Sequence, residues 1–181
     1  AGETIEEERL KPVRGVVHSF HTIKVPLRNE KGEIIGLCGI ARDITDRKRA
    51  EEALKESEEK YRNIFENTMV GIFQSTPSGQ YINVNPAHAK MLGFETPEEM
   101  MRSITNIGQQ LYVNSKDRVR FGELLKKHNI VWNYETQFYR KDRSVIWASM
   151  NARAIRDDSG KVIYYDGFVN DITERRKIAQ D

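Results

Sequence analysis

The feature that most constrains this chain is a repeat whose two copies begin 128 residues apart, at positions 43 and 171. Residues 43–49 read Asp-Ile-Thr-Asp-Arg-Lys-Arg, and residues 171–177 read Asp-Ile-Thr-Glu-Arg-Arg-Lys. The match extends backwards without a gap, so residues 27–35 align with residues 155–163. Each copy predicts a strand, a polar turn with glycine, a second strand and then a charged helix. A repeat of this length indicates one domain plus its connector, and therefore an array of domains.

The position of the first copy predicts how the chain is divided. Too few residues precede position 43 for a whole domain, so we expect residues 1–45 to be the C-terminal strands of a truncated upstream domain. Residues 46–66 are expected to form a linker helix, residues 58–173 the complete domain, and residues 174–181 the start of an output helix. Three strands without their own helices expose an apolar face. We expect that face to dock on another protomer or to be held by the linker helix.

The balance of charge excludes several classes of partner. The chain carries 29 basic and 27 acidic residues, a net charge of +2, which gives no electrostatic basis for binding nucleic acid or an anionic membrane. No apolar run approaches the ~20 residues that span a bilayer, and the N-terminus lacks the core of a signal peptide. A single cysteine, Cys38, cannot form an intramolecular disulfide, which fits a reducing compartment. We therefore expect a cytoplasmic protein with no nucleic-acid partner and no direct membrane contact.

The segment from Thr45 to about Asn67 has the pattern of a long helix. Thr45 is predicted to be its N-cap, with the hydroxyl accepting a backbone N–H of the first turn. A seam of coiled-coil spacing follows, although alanine and serine weaken it: Ala50, Leu54, Ser57, Tyr61 and Ile64. Two interpretations stay open, a solvated linker and the helix of a parallel homodimer.

The remaining residues predict two strands, several short helices and then three strands. Asn85-Pro86 and Thr96-Pro97 are helix starts, each with a capping side chain and a proline at the first helical position. Glu99 stands where a capping box would place it. The predicted strands are 70–74, 81–84, 131–139, 144–155 and 161–172, and the predicted long helix is 116–128.

Several short motifs occur in a fixed order through this unit. They are 61–67 (Tyr-Arg-Asn-Ile-Phe-Glu-Asn), 71–73 (Gly-Ile-Phe), 85–87 (Asn-Pro-Ala), 91–94 (Met-Leu-Gly-Phe), 96–100 (Thr-Pro-Glu-Glu-Met) and 171–173 (Asp-Ile-Thr). With these motifs, residues 58–173 resemble a PAS domain, and residues 1–45 resemble the last three strands of another. The resemblance implies an α+β fold with a five-stranded antiparallel sheet, strand order 2-1-5-4-3, and helices packed on one face.

The resemblance also implies a class of function. PAS domains sense or relay signals in histidine kinases of two-component systems, diguanylate cyclases and transcription regulators, often as dimers. We therefore expect a sensory or relay module of a larger bacterial or archaeal signalling protein, coupled to a downstream effector domain. A homodimer through the linker helix, the sheet or both is expected. The alternative is a ligand-free dimerisation or interaction module.

The repeated motif predicts where a signal leaves the domain. Asp171 ends a strand and Thr173 begins a helix, so a shift in the sheet would change the angle or register of that helix. Asp171 is predicted to pair with Arg175 or Arg176 in the first turn. Asp43 and Thr45 hold the same places in the first copy. The alternative makes Thr173 a routine cap and Asp171 a turn acceptor.

The sequence limits the cofactors that such a domain could use. A covalent flavin photosensor of this family needs a reactive cysteine near residues 107–112, and none is present there. Haem is disfavoured, because His128 lies at the end of the long helix and His88 lies early in a short one. His18 and His21 are three apart on a strand, so they point to opposite faces and cannot share a metal.

A small organic metabolite or a non-covalent flavin remains an open interpretation. Ala148, Ala152 and Gly167 are small enough to leave space above the sheet. The candidate pocket residues are Leu124, Phe138, Ala148, Met150, Tyr165 and Gly167. Alternatively, a core without ligand is filled by Trp132, Trp147, Met150, Tyr164 and Phe168. The choice depends on strand parity, because a shift of one residue reverses every face assignment.

No motif in the chain indicates catalysis. The sequence lacks a glycine-rich phosphate loop, zinc-ligand spacing and a nucleophile elbow. It also lacks a helix with a phosphoacceptor histidine and the Gly-Gly-Asp/Glu-Glu-Phe stretch of a cyclase. We expect this chain not to be an enzyme, although its parent protein would be a kinase or a cyclase.

Overall fold

A computed structural model describes residues 3–179, which form two compact units divided between Tyr61 and Arg62. The first unit contains an antiparallel three-stranded sheet in the order β1-β2-β3. Its strands are β1 (Ile5–Val13), β2 (Val16–Arg28) and β3 (Ile34–Asp43), and helix α1 (Thr45–Asn67) follows. The strands and the helix lie where the sequence predicts them, within one or two residues.

The second unit is a five-stranded antiparallel sheet with short helices. Its elements are β4 (Gly71–Ser75), β5 (Tyr81–Val84), α2 (Pro86–Met91), α3 (Pro97–Ser103), α4 (Ile107–Gln110), α5 (Ser115–His128), β6 (Ile130–Tyr139), β7 (Val145–Arg156), β8 (Val162–Asp171) and α6 (Thr173–Ile178). The strand order is β5-β4-β8-β7-β6. Counted within the unit this is 2-1-5-4-3, so the predicted fold class and topology are confirmed.

The core lies on one face of this sheet. Along β7 the buried side chains alternate strictly with half-buried or exposed ones, as expected for a sheet covered on one side. The buried positions of β7 are Ile146, Ala148, Met150, Ala152 and Ala154. Helix α5 supplies Phe121 and Leu125 to the same core, because these residues are four apart and lie on one helix face.

Two of the short helices begin as the sequence predicts. The Asn85 side chain accepts the N–H of His88, and the Thr96 hydroxyl accepts the N–H of Glu99. The capping box differs in one bond, since the Glu99 carboxylate accepts the N–H of Glu95 instead of that of Thr96. A proline follows each cap at the first helical position.

The aromatic residues proposed to fill the core lie mostly elsewhere. Trp132 is 68% exposed and Phe168 is 48% exposed, while Trp147 and Tyr164 are half-buried. The prediction was wrong for these four residues, because they occupy the outward positions of the alternating strands or, for Trp132, an irregularity in β6 between Val131 and Tyr134. Met150 is buried as proposed. The core is instead built from other strand residues, among them Phe73, Phe138 and Tyr165, and from residues of the helices.

The sheet of the first unit exposes large apolar side chains. Leu10, Val25 and Ile40 are 73%, 42% and 69% exposed, and the strand register places all three on one face. The predicted apolar surface is thus present, and its docking on another protomer stays a prediction.

Candidate functional site

The junction between β8 and α6 is tied to the neighbouring strand β7 by backbone and side-chain hydrogen bonds. The Thr173 hydroxyl accepts the N–H of Trp147 at 2.9 Å. The N–H of Ile172 donates to the carbonyl oxygen of Trp147 at 2.8 Å. The Asp171 carboxylate accepts the N–H of Thr173 at 2.9 Å. We call Trp147, Asp171, Ile172 and Thr173 the C-terminal clasp.

The first copy of the repeat forms the same bonds within its own unit. The Thr45 hydroxyl accepts the N–H of Ser19 at 2.9 Å, and the N–H of Ile44 donates to the Ser19 carbonyl oxygen at 2.8 Å. The Asp43 carboxylate accepts the N–H of Thr45 at 2.9 Å. We call these residues the N-terminal clasp. The sequence repeat is therefore a repeat of one hydrogen-bond arrangement between a strand and a helix start.

Neither threonine is a helix cap, so the prediction for Thr45 and the capping alternative for Thr173 were wrong. Each hydroxyl lies beside the adjacent strand and accepts an N–H there instead of one in its own helix. The Thr45 hydroxyl also donates to Asp43 at 2.5 Å. Helix α6 is preceded by Ile172 and has no side-chain cap. The threonines join strand to helix.

The charged partner of Asp171 also differs from the prediction. Its second carboxylate oxygen accepts a hydrogen bond from Arg140 in the turn between β6 and β7, at 3.0 Å. Arg176 pairs with Glu135 on β6, and its guanidinium carbon lies 3.8 Å from the centre of a Trp147 ring. Arg175 is exposed. The ring and the carboxylate draw Arg176 onto the sheet and away from Asp171.

A histidine pairs with the aspartate of the N-terminal clasp, whereas Arg140 pairs with the aspartate of the C-terminal clasp. His18 Nδ1 lies 2.7 Å from the free oxygen of Asp43. Hydrogen bonds from the Thr45 hydroxyl, the Thr45 N–H and His18 lower the pKa of Asp43 to about 2. Lys48 pairs with Glu8 on β1 at 2.6 Å. Lys48 follows Thr45 by three residues, as Arg176 follows Thr173, so each helix start also carries a cation bound to its sheet.

A small cavity lies in the second unit between the sheet and the helices. The space open to the centre of a water molecule is about 20 Å³, which is enough for one ordered water or a group of similar size. The lining residues are Phe73, Ser75, Tyr81, His88, Ile107, Leu111, Tyr112, Arg118, Phe121, Phe138 and Met150. Most of these side chains are apolar or aromatic, and the polar ones are Ser75, His88 and Arg118 with the hydroxyl-bearing Tyr81 and Tyr112.

His88 and Tyr81 form a neutral pair at this cavity. The Tyr81 hydroxyl lies 3.0 Å from His88 Nε2. Burial lowers the pKa of His88 to about 3 and raises the pKa of Tyr81. Nδ1 of His88 has no hydrogen-bond partner, and it lies against Gly71, where an added Cβ would be only 2.8 Å away. The imidazole is therefore uncharged at neutral pH.

The cavity includes two of the predicted pocket residues. Phe138 and Met150 line it, whereas Ala148 and Tyr165 are buried in the core outside its lining. Leu124 is half-buried at the margin of the core. Gly167 contributes no space, because an added Cβ there would lie 2.2 Å from the carbonyl oxygen of Asn151. Its small size allows close approach of two strands.

The residues that sequence reasoning missed come from elements outside the last three strands. Tyr81 follows the β4–β5 turn, His88 lies in α2 and Arg118 lies in α5. His88 follows the cap Asn85 by three residues and lies against Gly71 of β4, a contact that its place after the cap does not predict. Nothing in the pattern of α5 separates Arg118 from its other cations.

Asn85 connects this region to the end of α1. Its side-chain oxygen accepts the N–H groups of Ile72 and His88, at 2.8 and 3.0 Å. Its side-chain nitrogen donates to the carbonyl oxygens of Phe65 and Val70, at 3.1 and 2.9 Å. The side chain is 0% exposed and its four bonds satisfy its amide fully. Asn85 therefore fixes the end of α1, the start of β4 and the start of α2 together.

Curated proteins similar to this chain are signalling proteins. The chain is 27% identical over 130 residues to the probable diguanylate cyclase DgcE of Escherichia coli (strain K12), which covers 70% of this chain and 11% of that protein. It is 26% identical over 130 residues to the sensor histidine kinase TmoS of Ectopseudomonas mendocina, covering 69% of this chain and 13% of that protein. A stretch of 32 residues is 62% identical to the methanogenesis regulatory histidine kinase FilI of Methanothrix harundinacea, covering 18% of this chain and 4% of that protein. The chain spans at most 13% of the length of these relatives.

Solved structures share the fold at low sequence identity. A PAS domain from Colwellia psychrerythraea matches with a TM-score of 0.54 and 16% identity, over 65% of this chain and 98% of that one. A domain of a sensory box sensor histidine kinase/response regulator from Geobacter sulfurreducens matches with a TM-score of 0.51 and 22% identity, over 65% and 96%. An RNA-binding light-oxygen-voltage receptor matches over 99% of this chain and 81% of that one, with a TM-score of 0.56 and 12% identity.

Two family models match the two copies of the repeat. One described as a PAS fold matches residues 1–49, and one described as a PAS domain matches residues 69–174. Among residues 3–179, no helix is both long and apolar enough to cross a membrane. The clasp, the sheet order and the family match over more than half of the sequence agree, and the chain belongs to the PAS domain family.

Proposed function

We propose that this chain is a sensory and relay module of a larger signalling protein of the histidine kinase or diguanylate cyclase type. Its output is a conformational change that passes from the sheet through the C-terminal clasp into the helix that begins at Thr173. The observation that carries this proposal is the bonding of Thr173 and Ile172 to one residue of β7, Trp147. Similarity to a cyclase and to sensor kinases supports it.

In this proposal the bonds of the C-terminal clasp together hold α6 against β7 by a few kcal/mol. Each neutral hydrogen bond contributes about 1 kcal/mol net, and an exposed ion pair such as Arg140–Asp171 contributes about 0–1 kcal/mol. Helix α6 cannot change its angle to β7 without straining these bonds. A two-state element held by a few kcal/mol responds to biases of similar size. A ligand or an upstream movement that shifts β7 would thus shift the helix.

The domain boundaries predicted from the sequence enter this proposal unchanged. We assign residues 1–45 to the C-terminal strands of an upstream PAS domain and residues 46–66 to the linker helix. We assign residues 58–173 to the sensing domain and residues 174–181 to the start of the output helix, and residues 1–2 and 180–181 of these ranges lie outside the part of the chain that the structure describes. The N-terminal clasp then delivers a signal to α1 as the C-terminal clasp delivers one to α6. The chain itself has no catalytic role in this scheme, and an effector domain of the parent protein is its partner.

A homodimer through α1 is the alternative that a separate observation favours. Leu54 and Ile64 belong to the seam of coiled-coil spacing and are 61% and 60% exposed. Light scattering of the Leu54→Glu variant should show loss of a dimer, whereas Asn63→Glu, at an exposed position on the side of the helix away from the seam, should not. A wild-type chain that is monomeric at high concentration would eliminate this alternative.

The proposed relay is tested by measuring the activity of an attached kinase domain. The chain would replace the matching PAS segment of a sensor histidine kinase, and autophosphorylation of the chimera would be measured. Thr173→Val and Asp171→Asn should shift the basal rate several-fold, because each weakens the tie between β7 and α6. Thr105→Val, which changes an exposed hydroxyl away from the clasp, is the matched control. Unchanged output in both clasp variants, with circular dichroism showing folded protein, would refute the relay.

A further inference from the structure

Strand β3 of the first unit has an open edge. Within residues 3–179, β3 pairs with β2 on one side, and no strand pairs with its other side. Residues 34–41 of this strand carry no charged side chain. Ile35, Leu37 and Ile40 are 68%, 65% and 69% exposed. A long, exposed and apolar edge strand is a template for pairing with another strand.

The second copy of the repeat shows how the matching edge is used there. Strand β8 matches β3 after the offset of 128 residues, and it has β7 on one side and β4 on the other. Residues 165–169 of β8 pair with β4 in an antiparallel ladder. The matching residues of β3 are 37–41, which include Leu37, Gly39 and Ala41. This stretch of β3 therefore has the place in the sheet that takes an antiparallel strand in the second unit.

The backbone groups of Leu37, Gly39 and Ala41 are turned to the open side. In an antiparallel pair, successive residues turn their N–H and C=O groups alternately towards the partner strand and away from it. The N–H of Ile44 donates to Ser19 at 2.8 Å, and the register with β2 runs without a shift over residues 36–43. Residues 42, 40 and 38 therefore bond to β2, and residues 41, 39 and 37 offer their N–H and C=O groups at the edge.

The other strands at the sheet edges of residues 3–179 are poor partners for this edge. Strand β5 has only four residues, and β6 is interrupted by an irregularity between Val131 and Tyr134. Strand β1 contains a proline and several charged residues, namely Glu6, Glu7, Glu8, Arg9 and Lys11. Shortness, irregularities, charges and proline are the features that keep an edge from pairing. Residues 36–41 of β3 have none of them, so the edge that suits β3 best is β3 of a second copy.

We propose that two copies of this chain pair edge to edge through β3, antiparallel and about a two-fold axis at Gly39. Facing residues lie on the same face of the joined sheet, so their numbers are both odd or both even. With Gly39 opposite Gly39, Leu37 lies opposite Ala41, and all three outward residues of one copy bond to those of the other. Arg42 then lies opposite Gly36, so no charged residue faces another. The two three-stranded sheets become one continuous sheet.

This interface is separate from the helical homodimer considered above, because it uses no residue of α1. It also does not depend on the proposed relay. The apolar side chains at the edge of each copy come together across the two-fold axis, Ile40 with Cys38 on one face and Leu37 with Ala41 on the other. Cross-strand pairs of this kind stabilise a sheet.

Disulfide trapping tests the position of the axis. The variant Cys38→Ser/Gly39→Cys sets two cysteines opposite each other, where Cα atoms about 5.5 Å apart are within the range that a disulfide spans. The side chain fits, since the nearest atoms to an added Cβ at Gly39 lie 3.6 and 3.7 Å away. Oxidation with diamide should give mainly a covalent dimer. Cys38→Ser/Leu10→Cys, with an exposed cysteine on β1, should remain mainly monomeric on a non-reducing gel.

Charge substitutions test the pairing without cysteine chemistry. Leu37 and Ala41 are both exposed, so charged side chains at these positions leave the fold intact, which circular dichroism checks. Leu37→Lys/Ala41→Lys places like charges opposite each other and should raise the Kd of the dimer about tenfold or more at low salt. Leu37→Lys/Ala41→Glu places opposite charges there and should keep the Kd near that of the wild type. Analytical ultracentrifugation measures both.

Three results would overturn the proposal. A wild-type chain that is monomeric at high concentration would leave the edge of β3 to a strand of another protein. Equal cross-linking of the two cysteine variants, or an equal Kd for the two charge variants, would mean that the copies do not meet in this register. Leu54→Glu, added to Cys38→Ser/Gly39→Cys, should leave the cross-link unchanged. A cross-link lost in that variant would mean that α1, and not β3, holds the copies together.

Discussion

The hydroxyl of Thr173 accepts the backbone N–H of Trp147 at 2.9 Å, and the hydroxyl of Thr45 accepts that of Ser19 at the same distance, 128 residues earlier. In both copies the strand residue also accepts an N–H from the isoleucine before the threonine. A threonine at the start of a helix is usually read as a cap. Here its hydroxyl accepts an N–H of the neighbouring strand, so in both copies the motif joins the sheet to the helix.

Replacing Thr173 by valine should destabilise the second unit by about 1–2 kcal/mol, because the Trp147 N–H loses its acceptor while the side-chain shape is kept. Urea denaturation measures the loss, and hydrogen exchange should become faster in residues 173–179. Thr45→Val should have the same effect on the Ser19 amide within the first unit. If exchange at α6 were as slow in Thr173→Val as in the wild type, the clasp would not hold the helix.

The sequence predicted the fold well because its signals are local and repeated. Alternating apolar residues predict the strands, glycines mark the turns, and Asn85 and Thr96 mark helix starts, so each element follows from residues close together in sequence. The repeat also aligns the last strands of the two copies. The charged partner of Asp171 was not predicted. Arg140 lies in the turn between β6 and β7, far from Asp171 in the sequence, and only the folded sheet brings the two side chains together. Only two of the predicted pocket residues line the cavity, for a related reason. The cavity also takes residues from β4, β5, α2 and α5, and the pattern of any one of these elements does not show that they meet.

Asn85→Ala should be among the most damaging substitutions of a polar residue in this chain. It leaves two carbonyl oxygens and two N–H groups without their side-chain partner in a fully buried place. We expect a loss of more than about 3 kcal/mol in the free energy of unfolding, measured by urea denaturation. Asn114→Ala is the control, since Asn114 makes a single cap bond on the surface and should cost about 1 kcal/mol.

Gly167→Ala and Gly122→Ala should have opposite effects on stability. At Gly167 the new Cβ would lie 2.2 Å from Asn151 O and 2.8 Å from Ala152 Cα, both backbone atoms that cannot move aside cheaply. A loss of about 3 kcal/mol or more is expected. Gly122 lies inside α5 with nothing within 4 Å of an added Cβ, so alanine should stabilise by roughly 0.5–1 kcal/mol through helix propensity. Equal melting temperatures for the two variants would contradict the close strand approach.

The stability of the second unit should fall as the pH is lowered from 7 to 5, with His88 as the cause. The folded protein keeps this ring neutral, since burial lowers its pKa to about 3. In the unfolded chain histidine titrates near 6.5, so below that pH the unfolded state binds more protons and the free energy of unfolding decreases. The expected loss is about 2 kcal/mol between pH 7 and pH 5.

The His88→Gln variant isolates this effect. Its free energy of unfolding should be about 2 kcal/mol less sensitive to pH over the same interval, while Thr105→Val, which changes an exposed hydroxyl outside the cavity lining, should keep the wild-type dependence. Asp43 does not contribute to the change in stability between pH 7 and pH 5. Its pKa is about 2 in the folded protein, so the stabilisation by its ionised carboxylate is lost only below about pH 4, as the carboxylate takes up a proton. Urea denaturation at pH 5, 6 and 7 measures all three proteins. An identical pH dependence for His88→Gln and the wild type would contradict this account. It would mean that the buried imidazole takes up a proton in the folded protein and that Nδ1 then has a hydrogen-bond partner, which the structure does not show.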